Sequence, residues 1–429
     1  MNIKSISKKL IQKKVDDFVI IKNTTSNTQI KFVNNKIVNT TTQDIEALDL
    51  FVAKNKRIAT TVIKDKSKID ETINKLMKFI DSLNQNRDYQ GIAEGPFKYE
   101  KISHFYDKKV KSLNPTDLVE EGINAALENA KRASGFLESS TYKRAILTSG
   151  GAKKQEKGST LYFTIRALIN KDSTGHMTST SRTLKQFNPE QAGKRAGEIA
   201  KMSVNPEKGK PGKYDIVFGH LPMADFINEL GEAASIFSIE SGFSCLDKKI
   251  GKNLGNFSLL ESGNLQNGLS STHFDDEGVP TKTKTIIDEG VLKTYLHNTS
   301  SAKRYNTKTT ANAGLITPMP FNLILKGKQD NVFEVKKGLY ITNIWYTRFQ
   351  NSYTGDFSTI PRDGAFLIEN GEITKPIKNI RISDNILNMF KNLKCLSDKQ
   401  QQITSWDASI PTVTPEVLIE DVNVTKPHD

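Results

Sequence analysis

Residues 365–377 read AFLIENGEITKPI. Strand-like residues lie on both sides of Asn370-Gly371, a pair that tolerates the positive φ angles of a two-residue turn. The stretch therefore predicts a tight β-hairpin, and an antiparallel pair sets the character of the region around it. Further strand-like runs lie on either side: YDIVFG (214–219), NFSLLE (256–261), TKTIID (283–288), VLKTYL (291–296), FNLILKG (321–327), GLYITNIWYT (338–347) and EVLIEDVNVT (416–425). Residues 212–429 are expected to form a large, strongly curved, antiparallel β-rich domain, barrel-like, with few helices.

Upstream, strands and helices mix. DFVIIKN (17–23) and TQIKFVNNKIVNT (28–40) read as strands with a turn at Asn34-Asn35. A helix carrying Ile69, Ile73, Leu76, Met77, Ile80 and Leu83 follows, with Ser67 as its expected N-cap. Residues 1–90 form an α+β module on this reading, and 91–112, which lose periodicity, a linker. A middle α/β module, 113–211, opens on the Asn114-Pro115 helix start, with the helix expected to stop near Gly135. Strand-like runs follow at 142–148, 161–169 and 176–184. A second helix starts at Asn188-Pro189 and ends before the breaker-rich NPEKGKPGK (205–213). The fold class is α+β: two N-terminal α/β modules of antiparallel strands with helices, then the β-rich domain.

Composition narrows the function classes. No run approaches the ~18–20 apolar residues of a spanning helix, so no membrane is expected as a partner. The opening MNIKSISKKLIQKKVDDF has no apolar core of a secretory signal, and two cysteines in 429 residues do not make a disulfide framework, so a reduced, cytoplasmic setting is expected. The net charge of +13 comes from lysines spread along the whole chain rather than from a patch. It reads as a solvated surface, with nucleic acid disfavoured.

Two stretches are candidates for chemistry. In FINELGEAASIFSIESGFSC (226–245), Glu229 and Glu232 sit about one helical turn apart and Cys245 follows. A metal helix would look like this, but no histidine joins the pair and no two histidines of the chain have metal-helix spacing. A solvated helix edge and a small buried thiol are the preferred reading. HFDDEGVPT (273–281) groups His273, Asp275, Asp276 and Glu277; it reads first as a turn with an aspartate capping backbone amides, and second as a cation site. No G-x-S-x-G elbow and no phosphate loop occurs. YTRFQNSYTGDFSTIPRDG (346–364) combines Arg348 and Arg362 with aromatic rings and Gly355, which suits either a loop lining a cleft or a plug for a barrel end.

Several of these segments resemble the TldD/PmbA family, once described as modulators of DNA gyrase: FVNNKI (32–37), HFDDEGVPTKTKTIIDEGVLKTYL (273–296), ANAG (311–314), TRFQNSYTGDFSTIPRDGAFLIENGEI (347–373) and EVLIEDV (416–422). The family has two kinds of subunit. The TldD kind carries a His-Glu-x-x-x-His metal motif and is the metallopeptidase; the TldE (PmbA) kind lacks the motif. The corresponding place here is Gly231-Glu232-Ala233-Ala234-Ser235-Ile236, so Gly231 and Ile236 stand where both histidines would be and only Glu232 remains. Cys395 lies where metal-binding subunits contribute a cysteine, but its context does not carry the role over.

The resemblance implies a TldE-like subunit with no cofactor of its own, with zinc in a TldD-like partner. The two would form a heteromer acting on unfolded or small peptides, and a homodimer is the state expected without the partner. Arg348, Asp356 and Arg362, with Asp275 and Asp276, are the candidate peptide-path residues. The alternatives are a stand-alone homodimeric hydrolase built on His273, Asp275 and Asp276, or a nucleic-acid or gyrase-binding module.

Overall fold

The structure, a computed structural model, describes residues 2–426. Its N-terminal part is built on one six-stranded antiparallel sheet in the order β3-β2-β1-β4-β5-β6. These strands span Asp17–Val33 (β1), Lys36–Lys54 (β2), Arg57–Ile63 (β3), Arg132–Thr148 (β4), Lys153–Asn170 (β5) and Ser173–Ser181 (β6). The turn between β1 and β2 falls on Asn34 and Asn35, both with positive φ (49° and 70°), as the sequence predicts.

Strands β1 and β4 pair continuously from Val19–Thr148 to Phe32–Gly135, so the strands of residues 1–90 and of 113–211 share one sheet. Each segment nevertheless keeps its own helices and core on the same face of that sheet. Helices α1 (Ile3–Gln12) and α2 (Ile69–Ser82) cover Phe18, Ile20, Leu50 and Val52 at one end. Helices α3 (Thr116–Leu127) and α4 (Pro189–Met202) cover Ile30, Phe32, Leu161 and Phe163 at the other. Alternation of side chains with period two puts the opposite set, including Val19, Ile21 and Ile146, against Tyr89 and Phe274.

Three local expectations change. Asp65, not Ser67, caps the start of the second helical segment, accepting from the Ser67 backbone N–H (2.9 Å) and hydroxyl (2.7 Å). Helix α3 ends at Leu127, and Gly135 lies inside β4, where a Cβ would overlap the Thr164 carbonyl oxygen and the Phe32 ring. Residues 91–112 are largely coil, yet they bury Ile92, Ile102, Phe105 and Val110 and so pack against the body.

The C-terminal part contains a ten-stranded sheet and a six-stranded sheet, mostly antiparallel, with strand Gly212–Phe218 near the middle of the larger one. The fold is therefore α+β with a curled, half-barrel C-terminal body. The Asn370-Gly371 hairpin joins strands Ala365–Glu369 and Glu372–Lys378. Between the sheets lies helix α5 (His220–Ala233), embedded in the largest core cluster with Phe218, Phe257, Leu323 and Phe357. Among the described residues no helix is long and apolar enough to cross a membrane.

Candidate functional site

Helix α5 starts at Gly219 with Pro222 in its first turn, where the missing amide proton is not needed. It is buried on most sides, with Leu221, Met223, Phe226, Ile227 and Leu230 in the core, so it sits inside the body rather than on it. Asn228 anchors it to the 410–412 segment that leads into the six-stranded sheet: the side chain donates to the Ile410 carbonyl (2.9 Å) and Thr412 Oγ1 (2.8 Å) and accepts from the Ile410 N–H (2.7 Å).

One face of the helix is acidic, because Asp225, Glu229 and Glu232 recur at i, i+4 and i+7. Burial pushes the Asp225 carboxyl up to about 7, against the Thr347 hydroxyl that donates to it at 2.6 Å. Burial, reinforced by Asp225 and Glu232, pushes Glu229 up to about 8. Glu232, on the solvent side, is raised in the same direction by desolvation. Asp225 and Glu229 hold protons near neutrality, which is a poor state for ligating a cation.

The two positions that would hold imidazoles in a metal-binding relative are filled by packing. A Cβ on Gly231 would overlap the Leu323 side chain, which occupies the space beside the helix. Ile236 opens a separate short helix, α6 (Ile236–Glu240), and is buried in the same core. Ser235 between them fixes the break, donating from its hydroxyl to the Pro318 carbonyl at 2.7 Å. A zinc site needs about three converging N, S or O donors. Glycine, isoleucine and protonated carboxyls do not supply them, so these residues do not fit the ion. Among the described residues no three His, Cys, Asp or Glu side chains are grouped to hold a metal. Both cysteines are buried; burial raises the Cys245 thiol to about 11 and moves Cys395 upward too, so neither is an available thiolate.

The 273–281 stretch is the turn its punctuation predicts. Asp275 is fully buried and accepts from the N–H groups of Glu277 (3.0 Å), Val279 (2.9 Å) and Ala313 (3.0 Å). The last of these ties the turn to the ANAG segment, and Asp276 returns the contact through its own N–H to the Ala313 carbonyl (2.9 Å). The Asp276 carboxylate pairs with Arg144. His273 turns instead to Glu156, at 2.8 Å from Nδ1. The histidine and the aspartates of this stretch are thus engaged with different partners. Asp276 lines a cavity of about 240 Å³ between the N-terminal sheet and the C-terminal body, on whose wall Ile236 also lies.

Residues 346–364 are a hairpin rather than a loop: strands Ile344–Asn351 and Asp356–Pro361 pair antiparallel. The register shifts between Trp345 and Arg348, and Tyr346 takes a positive φ of 57°. Such a bulge brings consecutive side chains to one side, and Trp345 and Tyr346 stack with ring centroids 4.6 Å apart. The Arg362 guanidinium lies 3.4 Å from the Trp345 ring centroid, and that of Arg348 lies 5.8 Å from the Tyr346 centroid. The structure therefore brings Arg348 and Arg362 to one aromatic pair. Asp356 is elsewhere, at the hairpin tip, accepting from Thr354 Oγ1 (2.5 Å) and Asn385 Nδ2 (2.8 Å).

Trp345 forms part of a cleft of about 760 Å³ between the open face of β4 and β5 and the C-terminal body. Its other walls include Phe136, Tyr162, Arg166, His176 and, from the 404–411 segment, Trp406, which is 89% exposed. At its base Asp363, buried, accepts from Arg166 Nη2 (2.8 Å), Thr174 Oγ1 (2.7 Å) and Asn343 Nδ2 (3.1 Å). Burial raises that carboxyl, but Arg166, Thr174 and Arg362 outweigh it and the net shift is downward. Burial holds His176 down to about 4, so it is neutral, with Thr164 Oγ1 at 2.9 Å from Nε2.

Sequence reasoning named Arg348 and Arg362 but missed Asp225, Arg166, His176, Asp363 and Trp406. Asp225 carried a signal, since it lies four residues before Glu229. The others come from three distant stretches, and only the packing of the sheet against the C-terminal body brings them together.

Residues 211–426 match the model of the PmbA/TldA metallopeptidase C-terminal domain, and residues 103–204 that of the PmbA/TldA metallopeptidase central domain. An uncharacterised protein of Methanocaldococcus jannaschii is 28% identical over 367 residues, covering 80% of this chain and 85% of its own. A metalloprotease PmbA homolog of Buchnera aphidicola subsp. Baizongia pistaciae is 32% identical over 269 residues, 57% of each chain. The crystal structure of TldE from Thermococcus kodakarensis superposes with a TM-score of 0.88 over 99% of both chains, at 20% identity, a likeness of fold. The two domain models together span most of the sequence, and the chain belongs to the PmbA/TldD metallopeptidase family.

Proposed function

We propose that this chain is the non-catalytic, TldE-like subunit of a cytoplasmic TldD/TldE-type peptidase, pairing with a TldD-like subunit that holds the zinc. The observation that carries the reading is the closed helix: Leu323 fills the space beside Gly231, and Ile236 belongs to the core. Without two imidazoles no zinc-bound water is brought near neutral pKa, and the usual hydrolytic route is lost to this chain alone. Its role is then structural and substrate-guiding. The cleft carrying Trp345 and Trp406, with Arg348 and Arg362 against the Trp345–Tyr346 pair beside it, is the peptide path on this reading, while Asp275 and Asp276 hold the turn at the other cavity and Asp356 caps the hairpin. In the absence of the partner the chain forms a homodimer through the same interface.

The test is to mix the purified chain with a TldD-like protein from the same organism. Peptidase activity and co-elution on gel filtration are expected to need both chains; full activity of the TldD-like protein alone, with no co-elution, contradicts the proposal.

A further inference from the structure

Two walls of the cleft each set a carboxylate beside aromatic rings. On the sheet side, Glu138 of β4 lies directly opposite Tyr162 of β5 in the register, and Phe136, two residues before it, shares that face. The Phe136 and Tyr162 rings meet edge to face, with centroids 5.4 Å apart. On the side of the C-terminal body, Asp407 follows the exposed Trp406. No uncommitted cation stands in these walls among the described residues. Arg166, the one lining arginine, is held by Asp363 at 2.8 Å, and burial keeps His176 neutral. Glu138 accepts from the neutral Gln29 amide (2.6 Å), and Asp407 has no ion pair or hydrogen bond among the described residues. Arg348 acts on Asp407 from beyond ion-pair distance and Arg362 lies against Trp345; neither is in the wall. An anion entering the cleft meets both carboxylates, and a wholly apolar ligand strips them of water without replacing it. A cationic head on an alkyl stem suits both walls: the charge meets carboxylates and ring faces, and the stem lies along apolar surface.

We propose that the cleft binds a basic side chain of the peptide, lysine or arginine, with Glu138 and Asp407 as its anionic partners and Phe136, Tyr162 and Trp406 as its aromatic walls. This rests on the peptide-guiding role above and names which side chains are favoured. Both tryptophans of the chain, Trp345 and Trp406, line this cleft, so intrinsic fluorescence reports on it directly.

The experiment uses the purified full chain alone and alanine pentapeptides blocked at both ends, with lysine, norleucine or glutamate at the centre, so that the central side chain carries the only charge. The expected result is a saturable change in tryptophan emission with the lysine peptide, weakening as salt is raised. Norleucine keeps the stem and loses the charge, and is expected to bind about tenfold or more weakly. A variant combining Glu138→Gln and Asp407→Asn is expected to bring the lysine affinity down to that of norleucine, with norleucine binding and circular dichroism unchanged. Equal binding of the lysine and norleucine peptides, glutamate binding as well as lysine, a double variant that still prefers lysine, or no binding by fluorescence and calorimetry overturns the assignment. No partner is present in this titration, so its failure is separate from a failure of heteromer formation.

Discussion

Among the described residues Arg182 is the largest fully buried side chain, at 1% exposure, and it forms no ion pair there. It donates instead to the carbonyls of Gly268 (2.5 Å), Leu269 (2.6 Å) and Ser271 (2.7 Å) and to Tyr142 Oη (2.9 Å), with Phe105 stacked 4.4 Å from its guanidinium. One residue thus joins the N-terminal sheet, the 103–107 coil and the C-terminal body. Arg182→Met leaves those carbonyls unpaired and is expected to cost about 3–5 kcal/mol. Urea unfolding measures this; an unchanged midpoint contradicts it. Gly231 makes the opposite kind of test. Gly231→Ala pushes a methyl into Leu323 and is expected to destabilise by about 1–3 kcal/mol in the same assay. A neutral or stabilising result would mean that the space beside the helix is open. At this scale the sequence is legible where backbone geometry demands a residue type, as at Asn34-Asn35 and Asp275. It is silent where burial decides, as at Arg182, which sits in an ordinary polar strand run.

Helix α5 is the element on which the functional reading turns. Its carboxyl row is proton-holding because burial penalises the charge. The folded-state value of Glu229 lies above that of the unfolded chain, from 4.5 to about 8, so its stabilising contribution is present at low pH and is lost as pH rises through that window. Glu229→Gln removes the titration. It is expected to leave stability little changed at pH 5 and to exceed the parent by roughly 1–3 kcal/mol at pH 9. Chemical denaturation at both pH values reads this directly; a variant that loses stability equally at both would show that Glu229 is held as a needed carboxylate. The Asn370-Gly371 hairpin was readable from turn chemistry. The 346–364 hairpin was not, because the bulge at Tyr346 breaks the alternation that marks a strand. The helix's carboxylates were expected on a solvated edge, and burial of Glu229 overturns that, because the packing that encloses it leaves no local mark.

In the whole molecule, several candidate positions gather at two seams between the N-terminal sheet and the C-terminal body. One seam holds the Asp276 turn and Ile236, the other the arginine and tryptophan cleft. The α+β class and the β-rich C-terminal body followed from the order of strand and helix signals. The seams did not, since they depend on how one face of the long sheet meets residues more than a hundred positions away. The joining of β1 to β4 was hidden for the same reason: strand pairing partners leave no local mark. The measurement closest to the central claim is equilibrium dialysis of the purified full chain against zinc, with bound metal and peptidase turnover read on the same sample. The account predicts no stoichiometric tight binding and no turnover by this chain alone. One tightly held zinc per chain with hydrolysis, lost on substituting Glu232, would contradict it.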